Sequence, residues 1–173
     1  MPNRRKTEPG AHRVFQQITE PFNEIACDIK DVVENDRKER YFEAVLIMHM
    51  FIENILKWLV LTKVTWSKEQ KASIGEEEWE TLQTFCKKTS FDRALKMALA
   101  ISVVSWPLYQ ELDALRAERN DMVHQFWVYT HRNDHRLLKK EIERLAFMGK
   151  ELVSTYNALL VEIGVEEVFE IFL

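Results

Sequence analysis

A chain of 173 residues is long enough for one well-buried domain and too short for two comfortable ones. Hydrophobic residues make up 46% and charged residues 30%, and with only 4 Gly and 4 Pro there are few turn signals for a sheet, which favours helices. The formal net charge of -4 excludes a surface that grips duplex DNA by bulk electrostatics, and Cys27 and Cys86 lack the paired spacing of a zinc or redox motif.

The opening MPNRRKTEPG has basic residues with no apolar run behind them. Residues 1–12 are therefore expected to be a disordered lead-in rather than a secretory signal, and 13–173 a single helical domain. A first helix is predicted from about Pro21 to Asn35 on the apolar positions Phe22, Ile25, Ile29 and Val32, with an earlier turn possible over Ala11 to Glu20.

A second helix is predicted from about Asp36 to Val64. Its richest apolar stretch, Ala44 to Leu61, approaches the length of a membrane span but is interrupted by His49, Glu53, Asn54 and Lys57, as fits the central helix of a bundle. These polar residues share one arc of the helical wheel with Glu39 and Glu43. The row His49, Glu53, Lys57 is expected to form the outer face of that helix, with Glu53 also available as a partner for an arginine elsewhere.

Ser67-Lys68-Glu69-Gln70 has capping-box spacing, and Gly75 separates it from a short polar helix over Glu76 to Lys87. Ser90 can cap a helix over Phe91 to Ile101, and Ser105 before Trp106-Pro107 marks another start, predicted to run to Phe126. A polar loop with His131, Asn133 and Asp134 follows. The last helix carries Leu138, Ile142, Leu145, Gly149, Leu152, Tyr156, Leu159 and Ile163 at alternating steps of four and three, a seam for packing. The fold expected is an all-α bundle of four to five helices, with some seam surface available to a second copy of the chain.

Chemistry concentrates in the helix that starts at Trp106. With Leu115 at zero on the wheel, Leu108, Leu112, Met122 and Phe126 fall within about 60° of it, and Arg119 lies among them at about 40°. A guanidinium in an apolar stripe needs a partner, and Glu53, Asp92, water or a ligand are the choices. Asn120 and His124 sit at i, i+4 on another side of the helix, with Arg116 and Trp127 near the same row. Arg119 and His124 are about 140° apart, so one straight helix cannot aim both at one atom. Convergence needs a bent helix end, the reach of Arg, or a second protomer.

The string Leu115-Arg116-Ala117-Glu118-Arg119-Asn120-Asp121-Met122-Val123-His124 resembles the Arg-polar-x-x-x-His signature of the HEPN superfamily, helical domains found in many RNases and toxin-antitoxin systems. The upstream stretches Phe51-Ile52-Glu53-Asn54-Ile55-Leu56-Lys57 and Ser90-Phe91-Asp92-Arg93 agree with it, so the resemblance spans roughly residues 42–126. It implies a helical bundle and a homodimer whose motif helices line one cleft. It also implies metal-independent cleavage of RNA, with no cofactor, to a 2′,3′-cyclic phosphate. Arg119, Asn120 and His124 would be the catalytic residues.

The chemistry suits those residue types. A neutral His exchanges protons near neutrality, Arg offers a charged fork to phosphate, and DNA lacks the attacking hydroxyl. Around them, Arg116, Arg132 and Arg136 are candidate phosphate contacts and Trp127 a candidate stacking surface for a base. From Arg116 to Lys140 there are six Lys or Arg against three Asp or Glu, a modest local basic excess.

His131 and His135 have zinc-compatible i, i+4 spacing but no third ligand, so a solvated turn is expected there. Some toxins of the superfamily carry a modifiable Tyr two residues past the motif His; here that position is Phe126, so that control is not expected. The partners expected are RNA, a second copy and an antitoxin protein, in the cytoplasm and without a membrane. The same residues are also similar to the mannitol operon repressor family, in which Arg119 would be a buried structural residue of a non-enzymatic regulator.

Overall fold

The computed structural model describes residues 10–69, 74–124 and 135–165, and within them all side chains except those of residues 10–20, 22, 123 and 124. Six α-helices account for nearly all of it: α1 (Gly10–Glu34), α2 (Tyr41–Glu69), α3 (Glu76–Lys88), α4 (Phe91–Ala100), α5 (Trp106–His124) and α6 (His135–Glu162). The described residues contain no strand, so the chain is an all-α bundle. The described residues hold six helices, each of them an element marked out in the sequence, in the all-α bundle that was expected.

The boundaries follow local chemistry in most places. Ser90 caps α4 by accepting the Arg93 amide, and Ser105 accepts the Leu108 amide at the start of α5, each at 3.4 Å. α1 begins at Gly10 rather than Pro21, so Pro21 lies inside it, where its ring offers no N–H to the carbonyl one turn back. Asp36, at φ 47°, turns the chain after α1, and a single 3-10 turn, Lys38–Arg40, delays α2 to Tyr41. Ser67, Lys68 and Glu69 form the last turn of α2 instead of a capping box, because α2 carries its apolar pattern through Thr65 into that stretch. α3 then starts at Gly75 without a side-chain cap.

α2 is apolar nearly all round its axis, which a helix can be only when it is surrounded. α1, α3, α4 and α6 all pack on it. With its preceding turn it is long and apolar enough to cross a membrane, and 61% of its apolar window is buried inside the bundle. The α6 seam closes on α2: Leu138, Ile142, Leu145, Gly149, Leu152, Tyr156 and Leu159 are all buried. Gly149 admits the Phe51 ring, since a Cβ there would stand 3.4 Å from Phe51 Cε1. Deeper along the same contact, the Thr62 and Tyr156 hydroxyls share a buried 2.9 Å hydrogen bond.

α5 packs on α4 and buries Leu112, Leu115 and Met122 of the stripe read from the wheel, with Leu108 half-buried. On α3, Trp79 and Cys86 face inward, and the Cys86 thiol donates to the Lys57 carbonyl at 2.9 Å. Cys27 on α1 is exposed.

Candidate functional site

The row His49, Glu53, Lys57 on α2 is not an outer face. His49 is fully buried, and the Glu53 and Lys57 side chains are only 15% and 13% exposed. The wheel correctly grouped the three residues. It could not say which side was outward, because α2 is apolar around most of its circumference and α5 reaches this side through the Arg119 ion pair, with α6 tied to α5 in turn by Arg144.

Arg119 finds its partner here. Its Nη1 donates to Glu53 Oε2 at 2.7 Å, while Lys57 Nζ lies 2.7 Å from Glu53 Oε1. One carboxylate thus holds two cations, each on its own oxygen, and fastens α5 to α2. Glu53 was one of two carboxylates that the sequence offered; Asp92 was the other. Asp92 instead takes Lys96 at 2.8 Å and lies 3.9 Å from Arg116. The Lys96 hydrogen bond, partly opposed by desolvation, holds the Asp92 carboxyl below its ordinary range.

The Arg119 side chain is still 30% exposed, and Nη1 makes the only hydrogen bond of its guanidinium among the described residues. Arg116, on the next turn, is part-buried and directed at Asp113, 2.8 Å away. Asn120 is exposed. Arg136 is exposed on the first turn of α6, where His135 sets its ring edge-on to Tyr41 at 6.3 Å. The side chain of His124 lies outside the described residues, as do Phe126, Trp127, His131 and Arg132.

Two features of this region were not read from the sequence. One is the link between α5 and α6, where Arg144 engages both Glu118 and Glu141. Long-range pairs of this kind leave no periodic trace. The other is the burial of His49, whose two ring nitrogens have no hydrogen-bond partner among the described residues. Burial, then the nearby Arg119 and Arg144 charges, push its pKa down to about 4, so the ring is neutral at neutral pH. Its i, i+4 spacing with Glu53 was the available signal.

No group of His, Cys, Asp and Glu among the described residues could hold a metal ion. The class defined by fold and geometry is an all-α bundle with a charged row between its central helix and α5. No family model, curated protein or solved structure matches this chain.

Proposed function

We propose that the chain is a HEPN-type RNA-processing domain that cleaves RNA through its 2′-hydroxyl without a metal, in a toxin or defence setting where an antitoxin protein restrains it. The observation that carries this reading is the posture of Arg119: one nitrogen is anchored on Glu53, whose second oxygen is satisfied by Lys57, and the side chain remains part-exposed. A guanidinium held by one edge keeps donors for a phosphate without a search through rotamers.

In this reading His124 takes the ribose 2′-OH proton, and the 2′-oxygen attacks the adjacent phosphorus. The 5′-oxygen leaves and takes up a proton, giving a 2′,3′-cyclic phosphate and a 5′-hydroxyl. Arg119 stabilises the charge gathering on the non-bridging oxygens, and Asn120 orients the His or holds one of those oxygens. Arg116, Arg132 and Arg136 meet the phosphate backbone, and Trp127 stacks on a base. The chain acts in the cytoplasm as a homodimer. The test is single-stranded RNA with EDTA, comparing wild type, Arg119→Ala and His124→Ala. Loss of cleavage in both variants is expected. Equal residual cleavage by all three would mark contamination and remove the reading.

The Glu53 pair also favours a second reading, a non-enzymatic helical regulator similar to the mannitol operon repressor family, with Arg119 as a structural tie. That reading expects wild-type protein to leave RNA intact and Arg119→Ala to lower the Tm. An unchanged Tm counts against it.

A further inference from the structure

An aromatic stack opens α5. The Trp106 and Tyr109 rings lie parallel within 10°, with 5.2 Å between their centroids. Trp106 is 58% exposed, while Tyr109 is half-buried. Offset stacking of this kind holds the indole in one plane with more than half of its surface in solvent. The bases of a single strand are ligands that extend such a stack whatever their sequence, since every base has a π-face.

The stack is in register with the motif. Trp106, Tyr109, Asp113, Arg116, Asn120 and the backbone position of His124 fall within about 80° of one another around α5, beside the buried stripe of Leu112, Leu115 and Met122. Within this row Asp113 and Arg116 neutralise each other at 2.8 Å. From α4, Lys96 stands within electrostatic reach of the Tyr109 hydroxyl, its charge balanced by Asp92. Arg93, one turn before Lys96, is exposed and forms no ion pair with another described residue. The row is thus flanked by one surplus cation. Aromatic rings, a spare cation and a continuous row leading to Asn120 suit a single strand of RNA better than a peptide, which would gain from the rings alone.

We infer that the Trp106–Tyr109 stack is a second RNA subsite, a platform for one unpaired base of the strand whose phosphate is held at Arg119 and Asn120. The two rings lie about 16–21 Å along α5 from Asn120, which a strand rising ~3.4 Å per stacked nucleotide spans in about five to six nucleotides. Arg93 meets a phosphate next to the stacked base. The platform touches no reacting atom, so it sets the length of RNA that binds tightly and leaves the chemical step alone. The motif end of this strand rests on the RNA-processing reading.

The experiment is fluorescence anisotropy of the full chain with 2′-O-methyl oligoadenylates of two lengths, about four and about twelve nucleotides, the shorter unable to span the row. Their blocked 2′-hydroxyls keep the strands intact, and circular dichroism checks folding. Wild type is expected to bind the longer strand more tightly, and Trp106→Ala to lose about ten-fold of that gain, with Trp106→Phe keeping most of it. Arg93→Ala is expected to lower the slope of log Kd against log salt by roughly 0.7, and this variant decides if Trp106→Ala fails to fold. An equal gain with length in wild type and Trp106→Ala, a salt slope indifferent to Arg93, or no binding of either strand by wild type overturns the platform. Unmodified RNA separates the platform from the functional reading. A long strand bound through Trp106 but left uncut by wild type keeps the platform and removes the cleavage. Cleavage of the long strand with an unchanged KM in Trp106→Ala keeps the cleavage and removes the platform.

Discussion

Removing Arg119 and removing Glu53 are unequal perturbations of one ion network. Without Arg119, Glu53 still has Lys57 on its other oxygen. Without the Glu53 charge, Lys57 and Arg119 face each other as two part-buried cations. Glu53→Gln is therefore expected to destabilise more than Arg119→Ala, by an amount below the roughly 3–5 kcal/mol of a fully buried broken pair, given the exposure of Arg119. Urea unfolding checks the order, and the reverse order would show that the row is not held by Glu53. The adjacent His49 gives a pH signature. Its ring stays neutral in the folded chain down to about pH 4, whereas the unfolded ring takes a proton near pH 6.5. Between those values the unfolded state binds more protons, so stability falls as pH drops from about 6.5 to 4, by up to ~3 kcal/mol, with no loss above that window. His49→Leu is expected to remove this component from the pH dependence of Tm, and an unchanged difference curve would refute it. At this scale the sequence allowed Glu53 as the partner of Arg119. It misplaced His49, because burial depends on helices far away in the chain.

At the level of helices, the contact between α2 and α6 turns on Gly149. A methyl at this position meets Phe51 at 3.4 Å and Met48 Cε at 3.8 Å, close but within reach of a small adjustment. Alanine also gains about 1 kcal/mol of helix propensity over glycine. Gly149→Ala is thus expected to stay within about 1 kcal/mol of wild type, while Gly149→Leu overpacks the seam and costs about 1–3 kcal/mol. Thermal unfolding of the pair distinguishes the two, and tolerance of leucine would mean that the helices do not approach closely here. The heptad-like steps of α6 and the serine caps of α4 and α5 were legible because each depends on residues a few positions apart. The unbroken run of α1 through Pro21 and the long end of α2 were not. In both places a local breaker signal, Pro21 or the Ser67 box, yielded to continuation of the helix.

Across the whole molecule, the all-α class and the apolar stripe of α5 could be read before any coordinates. The position of α5 against its neighbours could not, since it is fixed by Glu53 and Arg144 from helices remote in sequence. The two cysteines carry a consequence at this same scale. Cys86 is buried, donates to the Lys57 carbonyl, and has its pKa pushed up to about 11 by burial, whereas Cys27 lies in solvent. A thiol-specific reagent should therefore label Cys27 at once and reach Cys86 only when the bundle opens, where the unfolded thiol, with a pKa near 8.5, reacts far faster. Mass spectrometry of the second adduct over time is expected to track unfolding; equal labelling of both thiols in native buffer would contradict the packing of α3. The native chain thus contains a reporter that times its own opening, with no cysteine introduced.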